Sequence, residues 1–158
     1  MYMVYALSAM MIGIHLMAPK FPMCRPGMIY SLARIFIHGD MVHLFFNLFT
    51  FHQLSPLFRS GNYVLLLTFL IAANAVLDFI TFGSKLVPCS IGFSGVLFGL
   101  ITYAYLSMQL PKGQLISSLF YLLLPSFLIP QLSLTGHLQG IATGFIAYWL
   151  GGMGAPFP

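Results

Sequence analysis

Two short segments, Gly92-Phe93-Ser94-Gly95 and Gly136-His137-Leu138-Gln139-Gly140, set one serine and one histidine into strongly apolar stretches. A serine hydroxyl becomes a nucleophile when a neighbouring base takes its proton, which needs the two side chains within about 2.6 to 3.2 Å. A second polar group lies earlier in the chain, where His38, His43 and Asn47 follow one another as His-x4-His-x3-Asn. His43 and Asn47 are four apart and share one face of a helix. That stripe has two readings. It can join its helix to a neighbour through hydrogen bonds worth about 0.6 to 2 kcal/mol. Alternatively, with the backbone N–H of Ser94, His43 and Asn47 can stabilise the oxyanion of a tetrahedral intermediate. His38, nearer the helix start, then supports them or adds a donor. Asp40 and Asp78 are the only acids, and neither lies near His137 in sequence or on its helix. A Ser94–His137 dyad is therefore expected rather than a triad, with His137 as general base and then general acid.

These groups must be positioned by elements that live in lipid. Apolar residues make up 59% of the 158 and charged residues 5%, with a mean hydropathy of +0.96, too few charges to cover a soluble surface. At about 20 residues per transmembrane helix the chain has room for about six. Breaks at Gly, Pro and charge place them at 1–18, 40–58, 63–82, 91–110, 114–130 and 133–151, in one all-α domain over 1–158. The first lacks a basic leader and a small-x-small cleavage site, and reads as a retained span. The connection 19–37 keeps apolar residues such as Met28, Ile29 and Phe36, and is expected to lie partly in the membrane interface. Gly92 and Gly95 flank Ser94, while Gly136, Gly140 and Gly144 recur every fourth residue beside His137. Such small ridges let two helix axes approach closely enough for a short serine to meet a histidine. The net charge of +4 comes from six scattered cations, which gives no nucleic-acid footprint.

At these residues the chain resembles the rhomboid family of intramembrane serine proteases. His38-x4-His43-x3-Asn47, Gly92-Phe93-Ser94-Gly95 and Gly136-His137-x2-Gly140-x3-Gly144 stand in the family's order on the expected second, fourth and sixth helices. The resemblance implies a rhomboid-like bundle of six transmembrane helices, with Ser94 as nucleophile, His137 as base and His43 with Asn47 on the oxyanion. It implies transmembrane protein substrates met within the lipid bilayer, no cofactor and no metal, and a site opening toward the lumen or exterior. Gly92-Phe93-Ser94-Gly95-Val96-Leu97-Phe98 looks most like the eukaryotic secretory-pathway branch, which implies a Golgi or endoplasmic reticulum membrane. The family's Trp-Arg pair is missing from the first connection, the single tryptophan being Trp149. Lys20, Arg25, Arg34 and Lys85 all fall on the side that the family makes luminal.

Other chemistries fit less well. A zinc protease would want His-Glu-x-x-His, and the chain has no glutamate. A zinc ion held by His38, His43 and His137, or an aspartyl pair of Asp40 and Asp78, has no recognisable motif. The competing reading is a noncatalytic, derlin-type protein that binds transmembrane clients. Elsewhere, His15 and His52 are expected to pack or face the interface, and Asp78 to make a helix-end hydrogen bond. Cys24 and Cys89 fall on one side of the membrane, as a luminal disulfide or as two free thiols.

Overall fold

The computed structural model describes residues 2–17, 24–58, 63–85, 89–107 and 133–151, together with Gly113, Ile116, Ser117, Leu119, Phe120, Leu123 and Leu124. Among these the secondary structure is helical, with no strand. The helices are α1 (Tyr2–Met17), α2 (Met28–Phe36), α3 (Met41–Leu54), α4 (Tyr63–Gly83), α5 (Ser94–Ser107) and α6 (Leu134–Gly151). The expected fifth span, 114–130, lies mostly outside the described residues, although its described positions are helical.

Local chemistry explains where the ends differ from expectation. Asp40 is the N-cap of α3, its carboxylate accepting from the His43 N–H at 2.7 Å, as short acidic side chains do at a helix start. The same span stops at Leu54 and tightens into a 3-10 turn, Ser55–Leu57, because Pro56 offers no N–H. α5 begins at Ser94 rather than Ile91. Gly92 stands at φ 105°, which a right-handed helix does not accept.

α4 alone, at 21 residues and a mean hydropathy of 2.2, is long and apolar enough to cross a bilayer by itself among the described helices. α1 and α5 are shorter apolar helices. α5 is the centre of the bundle, with every residue from Val96 to Ala104 buried, as expected of a helix apolar all round. It packs most closely against α6 and also meets α3, α4 and α2. Phe51 of α3, Leu70 of α4, Phe93 and Leu100 fill the core around it without exposure. α2 is the amphipathic element of the first connection, packed on α4 while Met28, Ile29 and Leu32 stay exposed. Cys24 and Cys89 form a disulfide with Cα atoms 5.6 Å apart, so the pairing left open by the sequence is closed. It ties the approach to α2 to the approach to α5.

Candidate active site

The α5–α6 contact is built on absent side chains. A Cβ on Gly140 would lie 2.0 Å from the Gly95 carbonyl oxygen, and one on Gly144 would lie 2.5 Å from that of Gly99. Backbone thus meets backbone along the ridge, and the histidine beside it comes within reach of the serine. Ser94 Oγ and His137 Nε2 are 2.9 Å apart. The His137 ring is buried and stacks on Phe98 with centroids 4.4 Å apart, which fixes its plane without a carboxylate. Asp40 caps α3 and Asp78 pairs with Arg34, so both acids of the chain are engaged away from the histidine.

Ser94 opens α5, and the first N–H groups of a helix have no intrahelical acceptor. They also carry the positive end of its dipole, which suits a developing oxyanion. His43 lies beside this helix start. A Cβ on Gly92 would sit 2.7 Å from the His43 ring, so glycine is required there by both packing and backbone angle. Asn47 is buried one turn further on and donates one amide hydrogen to the His43 carbonyl at 2.8 Å. An amide nitrogen carries two hydrogens, so Asn47 can donate a second bond there. Gly95 lies against Asn74, whose Oδ1 would be 2.9 Å from an added Cβ.

His38 sits in the short connection between α2 and α3. Its Nε2 accepts from the Phe93 N–H at 3.4 Å, so it holds the backbone before the serine. Burial, and then nearby His43, push its pKa down to about 4, keeping the ring neutral and able to accept. Its ring meets that of His43 edge-on at 5.0 Å.

One expectation needs correction. Asp78 makes no mere helix-end bond: it forms a buried ion pair with Arg34 from α2. The signal was available, since a carboxylate in an apolar helix demands a partner, but the cation stands 44 residues away. His52 has a partner in Ser8 across the α1–α3 contact, at 3.0 Å. His15 lies near enough to His38 to act on its charge. A small cavity of about 20 Å³ with a mixed polar and apolar lining borders the site, reached by Ile35, Asp78, Ser90, Gly92, Val96 and Gly136 among others. It has room for little more than one water and is no side-chain pocket. Among the described residues no three His, Cys, Asp or Glu side chains converge as metal ligands.

The Rhomboid domain pattern matches residues 26–154. The chain is also 28% identical over 151 residues to a protein of Acanthamoeba polyphaga mimivirus named "Putative rhomboid protein L523", covering 92% of this chain and 88% of the relative. The matched region holds the serine, the histidine and the His-x4-His-x3-Asn stripe together with the helices that carry them. The chain belongs to the rhomboid family and is an integral membrane protein.

Proposed function

We propose that the chain is an intramembrane serine endopeptidase that cleaves membrane-anchored proteins in or near their transmembrane segments. The observation that carries this reading is the 2.9 Å contact between Ser94 Oγ and His137 Nε2 at the start of α5. His137 takes the hydroxyl proton as Ser94 Oγ bonds to the scissile carbonyl carbon. The oxyanion that forms is held by the Ser94 N–H, the Asn47 amide and His43. Collapse breaks the C–N bond, and His137 delivers its proton to the leaving amine. A water then attacks the acyl-enzyme with His137 again as base, releasing the new carboxylate and restoring Ser94.

The remaining roles follow the same reading. His38, Gly92 and Gly95 support the nucleophile, the first through the Phe93 amide and the glycines through space. Six transmembrane helices form the bundle. The disulfide supports a site that opens to the lumen or exterior, because Cys89 lies five residues before Ser94 and disulfides persist in oxidising compartments. That is consistent with a secretory-pathway membrane, Golgi or endoplasmic reticulum, as the chain's location. The client-binding alternative would leave the intact serine and histidine without a use.

The test is chemical. A fluorophosphonate, which reacts only with an activated serine, should label the purified protein at Ser94. Labelling should vanish in Ser94→Ala and His137→Ala, both still folded. Labelling that survives in either variant would rule out the dyad.

A further inference from the structure

Cys89 to Phe93 is a non-helical stretch leading into α5, and within a membrane protein such backbone persists only where its polar groups find partners. Two of its amides do so. Phe93 donates to His38, and Gly92 donates to the backbone carbonyl of Arg34 at 2.9 Å. That carbonyl belongs to the last turn of α2, where helical partners run out, and it also takes the Ile37 N–H at 3.2 Å. The stretch that delivers Ser94 is therefore aligned by the end of a nine-residue helix.

One buried side chain ties that short helix to α4 with hydrogen bonds. The Arg34 guanidinium, 1% exposed, donates to Asp78 Oδ2 of α4, to Ser31 Oγ at 2.9 Å and to the Arg25 carbonyl at 2.8 Å. It also lies 4.7 Å over the Phe82 ring. A buried ion pair is a weak way to stabilise a fold, since well-packed apolar replacements are often as stable or more so. A planar fork does what an apolar contact does not: it sets direction as well as distance.

We propose that Arg34 and Asp78 are positioning residues for the nucleophile, their buried ion pair fixing the carbonyl that holds the Gly92 amide and so the approach of Ser94 to the oxyanion site. The inference rests on the protease reading of that site. Neither residue touches substrate; both act through the backbone of residues 90–93.

The double variant Arg34→Met/Asp78→Leu separates positioning from stability. It should melt at or above the wild-type temperature, yet cleave with kcat lowered about 10²-fold and KM little changed. Arg34→Lys, which keeps the charge and loses the fork, should fall between the two. A folded double variant with wild-type kcat overturns the proposal. Asp78→Asn, read as the fluorophosphonate labelling rate of Ser94 per folded molecule, covers the case in which the double variant does not fold. A wild-type labelling rate there also overturns it. Amide hydrogen exchange at Gly92 and Phe93 needs no activity, and should quicken in both the double variant and Asp78→Asn. A wild-type protein that neither cleaves nor labels defeats the protease reading, whereas unchanged exchange at these amides defeats the positioning role.

Discussion

Asn47 shows how one side chain can serve both fold and chemistry. Its amide braces α3 through the His43 carbonyl, and on the protease reading its second hydrogen serves the oxyanion. Asn47→Ala should lower turnover by about 10- to 1000-fold if that hydrogen meets the oxyanion, measured as kcat on protein of unchanged melting temperature. A variant that melts early but cleaves normally while folded would assign Asn47 to packing alone. His38 carries a pH dependence whose sign is fixed by its lowered pKa. The folded state resists a proton that the unfolded chain takes up near pH 6.5, so stability is whole above that pH and declines as pH falls toward about 4. His43 and His15 face the same ring and add to the cost of protonation. His38→Gln offers the Phe93 amide an acceptor that does not titrate, and should narrow the drop in melting temperature between pH 7 and pH 5. An equal drop in both proteins would show that another group governs it. Residue types made Ser94, His137 and the stripe legible in the sequence, because each is rare in hydrocarbon and chemically specific. The Arg34–Asp78 pair was not legible, since its halves come from separate helices and only packing reveals the match.

Among the elements, the α5–α6 contact was the most readable, because glycine every fourth residue has few uses in an apolar helix besides close approach. Gly140→Val should therefore abolish cleavage without touching the dyad, since the Gly95 carbonyl already fills the space beside it. Full activity in that variant, with α5 and α6 still paired, would contradict the reading. The start of α5 was less readable. Hydropathy runs unbroken through Ile91, Gly92 and Phe93, and only the backbone angle at Gly92 shows that the helix waits for Ser94. α2 was visible as apolar residues within a connection, but not as a helix whose last turn offers the Arg34 carbonyl to the Gly92 N–H.

Across the whole molecule, the disulfide ties the approach to α2 to the approach to α5, and the buried ion pair ties α2 to α4, on the side where Ser94 lies. The covalent link spans 65 residues, and loop-closure entropy assigns it about 4 kcal/mol. Cys24→Ser/Cys89→Ser should lose stability of that order, seen as a lower denaturant midpoint, with cleavage retained below the transition. A variant as stable as the wild type would show that the link constrains little. Sequence order alone points the other way, since it assigns four of the six cations to that side. Arg34 is spent inside the protein rather than on the membrane surface, which weakens that count as a guide to orientation. The most direct test is cleavage of a test transmembrane substrate by the purified protein in liposomes, without added metal, beside its Ser94→Ala variant. Cleavage by the wild type that disappears in the variant is the expected result; a well-folded wild type that leaves every substrate intact would contradict the protease reading and leave the family's client-binding role in its place.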